Sequence, residues 1–356
     1  MLGFPLKMKP SIKKMIMEET MKKSAKPFVA GRRHALLGLG ALGLGATGLP
    51  GLATAQTQAY PSRTVKIIVG VDPGGPSDLI SRTAAQQLTT RTGQSFVVEN
   101  RGGAGGAIGL RALAAAGHDG YTLGWGSFSS LVLRPAINIS SVPFDPEKEL
   151  MPITLLAEQA FVLAVSPALG VSNMRELIKL IKANPGKYNF GSPGAGGLPH
   201  LLFEIMKKRE GLDMTHVPYK GDSQAFQSLV AGHIQLLLTA PNLYGSSADR
   251  VRILAIAAPQ RWPQYPNVPT LEEEGLSGLG YTAWHGLFAP AGVPQPIVER
   301  IDREIRTGLA SPEGRASVEK MGLVASNMNF NQFSKRFADE SMQWKRIVKE
   351  LNLKID

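Results

Sequence analysis

Cysteine is absent from all 356 residues, which excludes disulfides, thiolate nucleophiles and thiolate zinc sites. It also excludes a lipid anchor attached through a cysteine at a processing point. The six histidines (34, 118, 200, 216, 233 and 285) never fall at H-x-x-x-H spacing, so no metal site is expected. An excess of one charge is also largely missing from most of the chain. The formal net charge is +11, but residues 1–55 hold nine Lys/Arg against Glu18 and Glu19. Removing them leaves 30 basic and 26 acidic residues, a net of +4, and no later basic run is interleaved with aromatics. A nucleic-acid partner is therefore not expected.

Several familiar motifs fail on inspection. Gly38-Leu-Gly40-Ala-Leu-Gly43 has dinucleotide-loop spacing but follows no strand. Neither Gly-rich stretch further on is followed by the Lys-Ser/Thr of a phosphate-binding P-loop. Ser192 has Phe190 where a nucleophile elbow requires glycine. No cofactor is expected, and no enzymatic activity.

What is present begins with an address. Arg32-Arg33-His34, an apolar stretch diluted by glycine, and an Ala-x-Ala site ending at Ala55 form a secretory signal peptide over residues 1–55. The paired arginines resemble a twin-arginine signal. The sequence predicts an exported, periplasmic protein whose fold begins near Gln56.

From there the chain alternates strand and helix. Residues 64–71 are β-branched and apolar, run into Asp72-Pro-Gly-Gly-Pro-Ser-Asp78, and lead to an amphipathic stretch over 79–91. Strands at 96–99 and 121–125 flank a Gly-rich turn at 101–109 and a helix through 116. The second half repeats this: strands at 161–165, 188–190, 216–219, 234–238 and 253–257, with helices at 174–183 and 199–208. Helices at 297–309 and 331–351 close the chain. Strand–helix alternation with short Gly/Ser connections predicts parallel strands.

Gly-rich turns at strand ends that open onto helices carry a physical expectation. First-turn N–H groups and the positive end of the helix dipole favour an anion there, and ligands bind outside the carboxyl ends of strands in open α/β sheets. Two such turns, one per half, would clamp a carboxylate; the alternative is that they are merely short βα connections. A Ser192–His200 pair is the one candidate for hydrolysis. Trp125, Tyr219, Trp284 and Phe288 lie within strands and are read as core, with Trp284 where the chain crosses between halves.

Several segments, in order, resemble the Bug family, the receptors of tripartite tricarboxylate transporters. These are Tyr60-Pro-Ser-Arg-Thr-Val-Lys-Ile, Pro73-Gly-Gly-Pro-Ser-Asp78, Val98-Glu-Asn-Arg-Gly-Gly-Ala-Gly-Gly-Ala-Ile-Gly109 and Asp119-Gly-Tyr-Thr-Leu123. Asn189-Phe-Gly-Ser-Pro-Gly-Ala-Gly-Gly-Leu-Pro-His200, His216-Val-Pro-Tyr-Lys-Gly221, Val268-Pro-Thr-Leu-Glu-Glu-Glu-Gly275 and Trp284-His-Gly-Leu-Phe-Ala-Pro-Ala-Gly292 follow. The resemblance implies a two-lobed α/β fold of the type II periplasmic-binding-protein class, with mixed sheets and a ligand cleft between lobes. One lobe would comprise residues 58–160 plus 285–356 and the other 161–284. It implies Gly74, Gly75, Asp78 and Ser127 as ligand-binding in the first lobe, and Ser192, Gly194, Ala195, Gly196 and His200 in the second. It also implies a monomeric receptor that hands a small carboxylate to membrane permease subunits. A ligand-sensing adaptor for a two-component system is the alternative, and a Ser/His hydrolase a more distant one.

Departures from the family pattern bear on specificity. Val71 stands where an aromatic is common, Asp72 adds a negative charge beside the expected anion site, and Gly197 replaces a hydroxyl residue. These admit a dicarboxylate, an amino-acid-like acid or an aromatic acid.

Overall fold

The computed structural model describes residues 60–137, 144–241 and 250–353. The signal peptide expected over residues 1–55 lies outside them. Among the described residues no helix is long and apolar enough to cross a membrane.

Two mixed sheets organise the chain, a two-lobed α/β architecture of the expected class. The first has six strands in the order β11-β4-β10-β3-β1-β2, formed by β1 (Val65–Val69), β2 (Phe96–Asn100), β3 (Thr122–Ser127), β4 (Leu150–Gln159), β10 (Ala283–Pro290) and β11 (Val324–Ala325). The second has five in the order β7-β6-β8-β5-β9, formed by β5 (Phe161–Val165), β6 (Tyr188–Ser192), β7 (Met214–Pro218), β8 (Leu236–Thr239) and β9 (Arg252–Ala257). Among the described residues the eight helices of eight or more residues are α1 (Pro76–Thr92), α2 (Ala107–Ala114), α3 (Met174–Lys182), α4 (Leu198–Glu210), α5 (Asp222–Val230), α6 (Gln295–Ala310), α7 (Pro312–Glu319) and α8 (Phe330–Glu350).

The sheets share one plan. β1 pairs in parallel with β2 and β3, and β10 then pairs antiparallel with β3. β6 pairs in parallel with β7 and β8, and β5 then pairs antiparallel with β8. The loops after β1 and β6 therefore occupy equivalent stations. Each leaves the carboxyl end of a strand with parallel neighbours on both sides and enters a helix. Buried β-branched and apolar runs make the interior strands: FVLAV is buried throughout, and VKIIV at every position but Lys66.

The chain passes between sheets with little slack. β4 ends at Gln159 and β5 begins at Phe161, so one residue, Ala160, makes the first crossing. The return enters β10, where Ala283 pairs with Gln159 and Trp284 with Glu158. The crossing strands thus lie side by side. Behind them α8 starts on a capping box between Asn329 and Gln332 and buries Phe333, Phe337, Trp344 and Ile347. These side chains recur on one helical face and close on Trp284 in edge-to-face contacts at 5.2 Å (Phe333) and 6.2 Å (Phe337). Full burial of each is worth about 2 kcal/mol, which makes α8 the support of the crossing.

Candidate functional site

A cavity of about 310 Å³ opens where both sheets present the carboxyl ends of their parallel strands, within the size range of small-ligand sites. The first sheet brings Ser77 at the start of α1, Trp125 and Ser127 at the end of β3, and Ser129 and Arg134 just beyond. The crossing strands bring Gln159, Phe161, Ala283, Trp284 and His285 as the floor. The second sheet brings the whole turn from Pro193 to Gly197, Leu198 and Pro199 of α4, and Asp222, the first residue of α5.

Three helix N-termini therefore meet one cavity, and they are not alike. α4 has no acidic residue in its first turn. α1 has Asp78, but that carboxylate turns inward, accepting from Gly74 N–H (3.0 Å), Arg82 Nε (2.9 Å) and Asn100 Nδ2 (2.8 Å). These donors, Arg82 foremost, pull its carboxyl down to about 2. α5 begins with Asp222, which faces the cavity.

Arg134 arrives through a widened turn. Over Ser129–Leu133 the chain makes a π-helical turn, with the Arg134 N–H donating to the Ser129 carbonyl five residues back. Pro135 follows and has no N–H for the normal ladder. The guanidinium lies against Gly105, where a β-carbon would come within 2.1 Å of it. Ser127 is braced by reciprocal bonds with Ser130: Ser127 N–H to Ser130 Oγ (3.0 Å) and Ser130 N–H to Ser127 Oγ (3.2 Å).

The turn after β6 is braced by imidazoles. Gly196 N–H donates to His200 Nδ1 (3.1 Å), so that ring carries its proton on Nε2. Ser192 donates its hydroxyl to the Gly194 carbonyl (3.0 Å) and lies 2.7 Å from His216 Nε2. The two imidazoles stack at 3.8 Å on the Phe190 side of the turn. Burial lowers His200 and, with its neighbour His200 and Lys207, lowers His216 to about 4. Burial alone lowers His285, in the cavity floor, to about 4. All three rings are neutral at neutral pH.

Of the residues singled out from sequence, Ser127, Gly194, Ala195, Gly196 and Gly197 line the cavity. Gly74, Gly75, Asp78, Ser192 and His200 do not. Gly74 and Gly75 face open space, with nothing within 4 Å of a would-be β-carbon. Asp78, Ser192 and His200 are buried and brace the two turns from behind. The Ser192–His200 pair, the distant hydrolase alternative, does not form: His200 is committed to Gly196, and the imidazole beside Ser192 is His216. Val71 packs into the core beneath the first sheet rather than into the cavity. Asp72 is exposed and its carboxylate lies against Gly102, away from the cavity. The electrostatic conflict expected from Asp72 therefore does not arise there; the acid that faces the cavity is Asp222.

Arg134, Asp222, Gln159 and Ser77 escaped the sequence reading. Arg134 does carry a signal, a lone cation closing the apolar run Leu-Val-Leu after a strand end. Asp222 looks like any helix-start acid. Trp125 and Trp284 are core, as read, and also form cavity wall.

A second cavity, about 590 Å³, lies beside Glu158, Tyr281, Arg336 and Glu340. Its charges are already paired: Arg336 bonds Glu158 (3.0 Å), Glu340 (2.8 Å) and Thr282 (3.0 Å), and Arg261 bonds Glu273 (3.0 Å). Neither Gly-rich turn reaches it. The smaller cavity is the candidate site because the turns, the helix starts and the crossing strands converge on it.

Comparison with known proteins finds relatives of the whole fold. The family described as tripartite tricarboxylate transporter family receptor matches residues 80–353. A Pseudomonas sp. protein named for the tcbD-tcbE intergenic region is 32% identical over 86% of this chain and 94% of its own length. The protein BugT of Bordetella pertussis is 31% identical over 85% and 94%. A solved structure of a periplasmic transporter superposes with a TM-score of 0.71 at 36% identity, covering 84% of this chain and all of that one. A Rhodopseudomonas palustris protein with adipate gives 0.70 at 27% identity, covering 83% and 99%. MatC from the same organism, with bound malate, gives 0.67 at 27%, covering 81% and all of its own chain.

Proposed function

We propose, from the premise that this chain belongs to the tripartite tricarboxylate transporter receptor family, that its cavity holds the carboxylate of a small ligand between the starts of α1 and α4, with Arg134 as the counter-charge. The protein is a periplasmic, exported receptor of that transport system and not an enzyme. The observation that carries the proposal is the convergence of two helix N-termini and one guanidinium on a single cavity at the carboxyl ends of both sheets. Free first-turn N–H groups and the positive dipole ends favour an anion there, and a guanidinium matches a carboxylate with paired donors.

In this proposal Gly194, Ala195, Gly196 and Ser127 touch the ligand. Asp78, Ser192 and His200 hold the turns that touch it, and Gly74 and Gly75 come into reach as the lobes, 58–160 plus 285–356 and 161–284, close. Closure would couple binding to the shape that membrane permease subunits recognise. The adipate and malate held by the two relatives support a small carboxylate as ligand. Isothermal titration of the mature protein against a carboxylate panel tests this. Saturable one-site binding of at least one member, weakened at least tenfold by Arg134→Gln, is expected. Failure of every anionic metabolite to bind would overturn the proposal.

A further inference from the structure

The cavity's two charged side chains have opposite sign and come from opposite sheets. Arg134 follows β3 of the first sheet and Asp222 opens α5 of the second. One Asp222 oxygen is occupied: Oδ1 accepts from Thr239 Oγ1 (3.0 Å) and from Ala240 N–H (3.4 Å). Among the described residues no basic side chain forms an ion pair with it, and Oδ2 has no hydrogen-bond donor. Burial pushes its carboxyl up from the ordinary range, as expected of an acid held in a cavity wall without a cation. Asp222 is also shared with an adjoining cavity on the Lys220–Gln224 side, so it stands at the junction of the two spaces.

This placement changes what the third helix start can do. The first turn of α4 holds no acid and that of α1 turns its Asp78 carboxylate inward onto Gly74, Arg82 and Asn100, whereas α5 meets the cavity with a carboxylate. A ligand with a second carboxylate directed at α5 would face Asp222 in a desolvated site, where like charges repel strongly. A ligand with an ammonium there would supply the cation that Asp222 lacks.

Resting on the carboxylate-receptor reading above, we infer that Asp222 sets the ligand class: an amino-carboxylate, its carboxylate toward α1, α4 and Arg134 and its ammonium on Asp222 Oδ2, in preference to a dicarboxylate. Asp222 is thus a specificity residue, and the discrimination it provides combines attraction for one ligand class with repulsion of the other.

Matched pairs test this directly. Mature wild-type protein is titrated calorimetrically with succinate, glutarate and adipate. It is also titrated with β-alanine, 4-aminobutanoate and 5-aminopentanoate, in which an ammonium replaces one carboxylate, and with an α-amino-acid panel. At least one amino-carboxylate should bind about tenfold tighter than every diacid, and Asp222→Asn should erase or reverse that preference. A wild-type preference for diacids, or an unchanged preference in Asp222→Asn, overturns the inference and leaves the carboxylate-receptor reading standing. If no member of either series binds, the inference falls, and the carboxylate-receptor reading falls with it only if the full carboxylate panel above also fails to bind. The wild-type comparison stands by itself should Asp222→Asn fail to fold.

Discussion

The turn after β1 and the turn after β6 occupy equivalent stations in their sheets, yet they are braced by opposite chemistry. The first is held by an ionised carboxylate: Asp78 gathers Gly74 N–H, Arg82 and Asn100. The second is held by neutral imidazoles, His200 accepting from Gly196 N–H and His216 standing against Ser192. The first turn contributes only Ser77 at its end to the cavity, whereas the second contributes all of Pro193–Gly197. A glycine turn has too much freedom to hold a binding geometry unaided, so each needs a brace. The local wall decides which kind. Beside α1 the brace reaches the half-exposed Arg82 and can stay charged. Beside α4 it is stacked against Phe190 and buried, and burial keeps it neutral although Glu204 lies 3.9 Å from His200 Nε2.

The largest break in this comparison is expected from Asp78→Ala. It removes the buried acceptor of the Gly74 amide, while Asn100 Nδ2 keeps the Val71 carbonyl (3.0 Å) and the half-exposed Arg82 keeps Asn100 Oδ1 (2.9 Å), and it should cost about 2 kcal/mol. Urea denaturation at neutral pH reads that loss. Ligand affinity should fall as well, because the start of α1 loses its anchor.

Acid titration separates the braces next. Asp78 lies at about 2 in the fold against an ordinary value near 3.8. Its contribution is therefore full above about 4 and disappears as pH falls through 2. His216 and His285 lie at about 4, and His200 is lowered, against an ordinary 6.5. Their contribution is full above 6.5 and is lost as pH falls toward 4. Denaturation midpoints measured from pH 8 to 3 should hold level to about 6.5 and then decline well before the carboxylate window. A level line down to pH 4 would mean that the imidazole brace is not closed to protons.

The smallest effect should come from Ser192→Ala. It removes one hydroxyl from behind the second turn, at a cost of about 1 kcal/mol. Affinity should stay within about threefold, since Ser192 does not reach the cavity. A tenfold loss of affinity would move Ser192 from bracing to ligand contact.

The strand–turn–helix alternation was legible because each half shows both periodicities, buried β-branched runs and then an amphipathic helix. The closing helices at 297–309 and 331–351 lie within two residues of α6 and α8. β4 was not legible: LMPITLLAEQ carries a proline and mixes strand- and helix-forming residues, and its strand character comes from β10 and β11 pairing on either side. Ligand-contact and bracing residues also look alike in sequence. Asp78 and His200 sit in the two turns beside the cavity, but a one-dimensional pattern does not say which way a carboxylate or an imidazole points. Arg134 and Asp222 lie 88 positions apart and meet through the crossing between sheets, which local spacing does not encode. The glycines at 101–109 mark a turn, and they also set a close approach. A β-carbon on Gly109 would come within 2.7 Å of the Gly70 Cα, so α2 seats directly on the end of β1.

The floor of the cavity has a spectroscopic consequence. Of the four tryptophans, Trp125 and Trp284 line the cavity, and the indole N–H of Trp284 is held by Glu340 at 2.7 Å. An indole's emission follows the field around it, and here one face of that field is a fixed carboxylate while the other is whatever fills the cavity. Filling the cavity changes one side of the chromophore and leaves the other as a constant reference. The molecule carries its own optical gauge of occupancy, with no dye attached.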